Sequence, residues 1–263
     1  MRPLLTVLLL FSAGVSADEI IIKPHAVPGP CSVAQWKKDW PGCEWEDGVK
    51  EGHLSVVARE DGGKAFRVDY TPGQIGPEKG GVGWRFPIGK TAVAQLTYTV
   101  RFAADFDWVK GGKLPGLSGG PANVSGGRPA DGTNGFSARL MWRKDGRGEA
   151  YVYHKNQKGD YGDSFAFPED FRFPTDTPIR VRMRVEMNEP GRKNGKLYVW
   201  ISAGEAQQER LVVSHTDMEW RSVDTFAIDS LYFETFHGGS DATWAPTRPC
   251  WTEFSGVKVT TPG

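Results

Sequence analysis

The sequence predicts an all-β antiparallel sandwich, and three observations carry that expectation. Leu96, Tyr98, Val100 and Phe102 alternate with Thr97, Thr99 and Arg101. Ile179, Val181, Met183, Val185 and Met187 alternate in the same way with Arg180, Arg182, Arg184 and Glu186. Period two over such lengths gives each stretch one buried face. Third, 33 Gly and 18 Pro interrupt the chain too often for long helices, while 14 Phe, 10 Trp and 7 Tyr supply bulk for a sizeable core. A chain of 263 residues with 39% hydrophobic content fits one large β domain, and this composition excludes disorder and coiled coil.

In chain order, the first segment stands apart. Arg2 gives a positive start, Leu4 to Phe11 an apolar stretch, and Val15-Ser16-Ala17 a small-residue cleavage signal. This is the order of a secretory signal peptide over residues 1–17, too short to span a membrane. It leaves 18–263 as a single domain, secreted to the extracellular space or, in a bacterium, to the periplasm. A short helix is expected near Val33 to Asp39, closed by Pro41-Gly42. Further strands are expected at Leu197 to Ser202, Arg210 to Val213, Ser230 to Phe236 and Phe254 to Val259, with turns at Asn194-Gly195 and Gly238-Gly239. No internal repeat or linker divides the chain.

Basic and acidic residues, 32 of each, cancel. No net field draws nucleic acid or an acidic membrane, and any polyanion must be held locally. A monomer is expected. The row Arg180, Arg182, Arg184 reads most simply as the solvated face of a strand. Export permits a disulfide, and three cysteines, Cys31, Cys43 and Cys250, allow one bridge with one thiol left over. Cys31 with Cys43 is the local pairing, and Cys250 is the other candidate partner. Asn123-Val124-Ser125 is a glycosylation acceptor sequence in a Gly/Pro-rich loop. No Cys/His metal spacing is present, although an oxygen-liganded Ca²⁺ leaves little sequence trace.

Gly116-Leu117-Ser118-Gly119-Gly120 matches the G-x-S-x-G nucleophile elbow, but that motif needs a helix after the serine, and Pro121 with a glycine-rich loop follows. A pair of hydrolytic carboxylates spaced Glu-x-Asp is absent from the sequence. In Phe136 to Trp142, the apolar residues Phe136, Ala138, Leu140 and Trp142 leave Ser137 and Arg139 together on the opposite face. A three-residue turn at Asp145-Gly146-Arg147 would bring Tyr151-Val152-Tyr153 back with Arg139 opposite Tyr153 and Met141 opposite Tyr151. Parity of that loop decides whether the tyrosines share the face of Arg139. The glycines of Lys110 to Gly116 let backbone and Lys113 approach a ligand closely.

Taken together, Gly111-Gly112-Lys113-Leu114-Pro115-Gly116, Ser137-x-Arg139, eleven intervening residues, Tyr151-x-Tyr153 and the stretch Phe236 to Pro246 resemble the active-site pattern of polysaccharide lyases of family 14 and the related glucuronan lyases of family 20. The resemblance implies a β-jelly roll with a concave substrate cleft. It also implies an enzyme that cleaves 1,4-linked polyuronate, such as glucuronan or alginate, by β-elimination. Position by position, it makes Lys113, Ser137, Arg139, Tyr151 and Tyr153 catalytic. His237 departs from the pattern where an aromatic is expected, and Ser118 to Gly132 is expected to form a loop insertion near the cleft.

The chemistry gives these residue types their purpose. A base removes the C5 proton of a uronate, the 4-linked oxygen leaves, and charge accumulates on the C5 carboxylate. Arg139 with Ser137 is the expected carboxylate clamp. Lys113 is the leading base, with a tyrosinate as the alternative, and Tyr151 or Tyr153 is the acid. No cofactor is required by this scheme. A non-catalytic secreted carbohydrate-binding module on the same scaffold is the alternative reading, since fold does not fix function. Sugar binding alone has no use for a lysine, a Ser-x-Arg and a Tyr-x-Tyr on one surface.

Overall fold

A computed structural model describes residues 17–204 and 208–262. The signal peptide read from residues 1–17 lies outside them except for Ala17, which opens the first strand. The strands are β1 (Ala17–Ile22), β2 (Gly29–Pro30), β3 (Leu54–Ala58), β4 (Lys64–Tyr70), β5 (Gly81–Thr91), β6 (Val93–Phe102), β7 (Gly111–Gly119) and β8 (Phe136–Arg143), followed by β9 (Gly148–Tyr153), β10 (Asp163–Ala166), β11 (Ile179–Glu186), β12 (Gly195–Ala203), β13 (Arg210–Met218), β14 (Ile228–His237) and β15 (Cys250–Pro262). They form two antiparallel sheets. One runs β13-β12-β11-β6-β15-β4-β3-β2, with β1 also on β15, and the other runs β10-β9-β8-β7-β14-β5.

The alternation read from β6 and β11 is the packing pattern itself. Leu96, Val100, Phe102, Ile179, Val181, Met183 and Val185 are wholly buried, while β11 ends at Glu186 and leaves Met187 only partly covered. Across the sandwich, Phe233 of β14 meets Phe254 of β15 at 5.1 Å between ring centroids. Trp40 bridges Phe66 of β4 and Trp84 of β5 at 5.3 and 4.9 Å. Helix α1 (Val33–Asp39) positions that indole. Its start is fixed by Ser32 and Gln35, each side chain bonded to the other's backbone N–H, which satisfies two donors the first turn would otherwise leave free.

Two expectations are corrected here, and one strand is added. Gly111 to Gly119 forms a central strand, β7, with a bulge between Leu114 and Leu117 that accommodates Pro115. Its Gly112 is required by packing, because a Cβ there would stand 2.1 Å from the Trp142 ring and 2.3 Å from the Phe236 carbonyl oxygen. The β8–β9 turn closes as Trp142 opposite Gly148, a five-residue connection with Asp145 at φ 59°, so Arg139 faces Tyr151 and Ser137 faces Tyr153. The register differs by two residues from a three-residue turn, but parity holds. The disulfide is absent: Cys31, Cys43 and Cys250 are free thiols. Cys250 pairs with Tyr70 of β4, whereas Cys31 lies beyond β3, bonded to Leu54, three strand spacings or about 14 Å away and outside disulfide reach. Cys31 and Cys43 flank helix α1, whose seven residues separate its ends by about 10 Å.

Candidate active site

The six-stranded sheet sets the site by alternation. Phe136, Ala138, Leu140 and Trp142 of β8, Ala150 and Val152 of β9, and Leu231 and Phe233 of β14 enter the sandwich core. The intervening side chains point to the outer face. There Met141, Tyr151 and Tyr153 form a second apolar cluster with Val124 and Ala130 from the loop after β7. The loop expected from Ser118 begins instead at Gly120, because Ser118 and Gly119 belong to β7, and it packs on the outer face beside the cleft. Ser118, the serine of the elbow-like motif, lies near the end of β7 with no helix after it and no hydrogen-bond partner for its hydroxyl among the described residues.

All five expected residues share this outer face, but at two depths. Lys113, Tyr151 and Tyr153 line a cleft of about 450 Å³, walled by Ser125-Gly126 and Tyr161-Gly162 on one side and by Gly238 to Trp244 on the other. The Lys113 side-chain nitrogen lies 3.7 Å from the Tyr151 ring centroid and 2.9 Å from the Met141 sulfur. Burial, then the Arg139 guanidinium, holds the Lys113 amine well below the usual lysine range. Burial, then the bond to Tyr153, pushes the Tyr151 phenol up. The two tyrosine oxygens are 3.5 Å apart. Gly162 N–H donates to the Tyr151 oxygen at 3.2 Å and Gly127 N–H to that of Tyr153 at 3.3 Å. The backbone N–H groups thus occupy an acceptor position on each phenol oxygen, while the bond between the phenols takes one of their two protons.

Arg139 and Ser137 lie beneath this layer, buried under the groups that line the cleft. Arg139 is 0% exposed and ion-paired with Glu234 of β14. Its guanidinium carbon sits 4.8 Å from the Tyr232 ring centroid and 6.0 Å from that of Tyr153. Burial by itself would lower the guanidinium pKa, but Glu234, with Tyr232, Tyr153 and Tyr151 behind it, more than offsets that and raises it. Ser137 donates its hydroxyl to the Val124 carbonyl at 2.8 Å. Neither group lines the cleft, because the loop after β7 covers their end of the sheet.

Other residues complete the surface. Arg143, two positions beyond Met141 on β8, lines the cleft and is held by Glu149 at 2.6 Å. Period-two counting from Arg139 would have found it. Trp244 lies within the quoted C-terminal stretch, its ring centroid 5.6 Å from the Arg143 guanidinium carbon and 5.9 Å from the Lys110 nitrogen. Glu234 and Tyr232 carry no local signal, since only the β7–β14 pairing brings them beside β8. His237 points the other way, into the core, packed on Phe106, Tyr70 and Trp142 at 5.0 to 5.4 Å. It serves there as an aromatic, and burial pushes its imidazole down to about 4. Asn123 of the glycosylation sequence accepts a bond from Tyr232 at 3.0 Å, so its amide group faces the sheet. Among the described residues, no three His, Cys, Asp or Glu side chains converge as metal ligands, and no helix is long and apolar enough to cross a membrane.

The sequence profile of polysaccharide lyase 14 matches residues 58–257, most of the chain and every cleft residue named above. The protein belongs to polysaccharide lyase family 14. It is therefore an enzyme, a lyase acting on polyuronates. Among solved structures it is similar to the marine PL-14 alginate lyase from Aplysia kurodai, at 25% identity over 93% of this chain and 98% of that one, with a TM-score of 0.80. The alginate lyase Aly36B is also 25% identical, over 92% and 96%, with a TM-score of 0.78. The endo-β-1,4-glucuronan lyase of the fungus Trichoderma reesei shares the fold at 12% identity over 90% and 95%, with a TM-score of 0.53. No curated protein matches the chain by sequence.

Proposed function

We propose that this family 14 lyase is a secreted enzyme that cleaves mannuronate-rich alginate by β-elimination, with Lys113 as base and Tyr151 as acid. The observation that carries the reading is the contact of a lysine held well below its usual pKa with a tyrosine held above its own, in one cleft. Alginate is favoured over glucuronan because the two 25%-identical structures are alginate lyases and the glucuronan lyase is more distant. Export rests on the signal-peptide pattern of residues 1–17.

In this scheme neutral Lys113 takes the C5 proton and becomes an ammonium. The electron pair forms the C4–C5 double bond, the C4–O bond breaks, and the leaving oxygen takes the Tyr151 proton. Water then returns a proton to Tyr151 and accepts one from Lys113. Arg143, rather than the buried Arg139, meets the C5 carboxylate, and Arg139 acts from below by keeping Lys113 neutral. Base, acid and counter-charge are all side chains of this protein, so the scheme calls on no cofactor.

The experiment is a comparison of polymannuronate, glucuronan and carboxyl-reduced polymannuronate, followed by ultraviolet absorbance of unsaturated ends. Absorbing products from polymannuronate first, and none from the reduced polymer, are expected. Saturated reducing ends, or equal cleavage of the reduced polymer, would contradict elimination.

A further inference from the structure

The catalytic cleft continues past Arg143, which it shares with a second cavity of about 660 Å³ beneath the β8–β9 turn. Lys110, Lys144, Arg147 and Arg172 bring four more cations to that cavity.

Their partners decide whether that charge is available. Lys110 donates to the Thr243 hydroxyl with the Asp241 carboxylate close by, and Arg172 donates to the carbonyls of Glu169 and Phe171 at 2.7 and 2.6 Å. Among the described residues Lys144 and Arg147 form no ion pair. Of the carboxylates present, Glu149 is committed to Arg143, which leaves Asp145 and Glu169 against four cations. The floor adds the rings of Phe167 and Phe171, 5.2 Å apart and edge to face. Surplus positive charge beside apolar rings suits a polymer whose repeating unit has a carboxylate and an apolar sugar face.

We propose that this second cavity binds the uronate units that follow the cleaved one, so that the polymer enters from one side, passes Arg143 and lies in the groove of Lys144 and Arg147. The inference rests on the polyuronate reading and extends it to chain length. An enzyme so built favours substrates with several units on one side of the scissile bond.

The test is the double variant Lys144→Ala/Arg147→Ala, with Arg180→Ala on the outer face of the other sheet as the control. KM for polymannuronate should rise about three- to tenfold at low salt, and KM for a mannuronate trisaccharide by less than about twofold. The difference should shrink at high salt. Equal effects on both lengths, no effect on either, or the same polymer effect from Arg180→Ala would overturn the groove. Equilibrium binding of polymannuronate separates the two claims. Unchanged affinity in the double variant overturns the groove whatever the turnover, whereas weakened affinity in a protein that never cleaves the polymer overturns the catalytic reading alone.

Discussion

Nζ of Lys113 lies 3.7 Å from the centroid of the Tyr151 ring, so the base and the acid of the proposed elimination share one contact. The two strands that bear them are not neighbours in sequence. β7 and β9 are joined through β8, and Met141 between them contributes the sulfur on which the amine rests. Neutral amine and neutral phenol are what burial imposes on both groups, and elimination needs one to gain a proton as the other loses one.

That pairing fixes the pH dependence. Lys113 is depressed, so its neutral form persists below the ordinary lysine range and activity falls only as pH drops through the depressed value. Tyr151 is raised, so the acid stays protonated at alkaline pH. A kcat profile on polymannuronate should therefore show an acid limb well below pH 10 and a plateau extending above it. An acid limb near the unperturbed lysine value would show a lysine that is not desolvated.

Lys113 is also a cost to the fold. Lys113→Met fills the same space without a polar nitrogen, and we expect it to abolish turnover while stabilising the protein by about 1–3 kcal/mol. Thermal unfolding of the variant against the parent reads this. A lower midpoint would mean that the amine contributes packing that Met does not replace.

Arg139 and Glu234 form a buried ion pair, so each is costly to remove alone. Arg139→Met and Glu234→Leu should each destabilise by about 3–5 kcal/mol, and the double variant carrying both should lose less than the sum. Denaturant unfolding of the four proteins measures the coupling. Additive losses would place the two side chains apart in solution.

His237 is held neutral in the core with its pKa near 4, against 6.5 when unfolded. The unfolded chain binds the extra proton between those values, so this residue's contribution to stability, about 3 kcal/mol, is lost as pH falls from 6.5 towards 4. His237→Phe should flatten that part of the stability curve. An unchanged slope relative to the parent would assign the acid sensitivity to other groups.

The sequence made the sandwich legible where one face is buried and the other wet. β6 and β11 alternate cleanly for that reason, and α1 keeps its expected bounds because Pro41-Gly42 stops it where its apolar face ends. β7 was hidden because both its faces are covered: glycine where Trp142 presses in, proline at the bulge, no alternation to read. Within the site, parity survived because a turn two residues longer leaves the same side chains on the same face. Depth has no such local signal. That Arg139 ends against Glu234, 95 residues away, depends on β14 pairing with β7, and no local pattern encodes that.

The central claim is that Lys113 removes the C5 proton as a free amine, and chemical rescue of Lys113→Ala tests it most directly. Turnover of polymannuronate by the variant should fall by about 10²–10⁴ and recover in part on adding methylamine, with the recovery rising with pH as the added amine deprotonates. A variant that keeps turnover within about tenfold of the parent, or whose loss no amine restores at any pH, would contradict the assignment of Lys113 as the base.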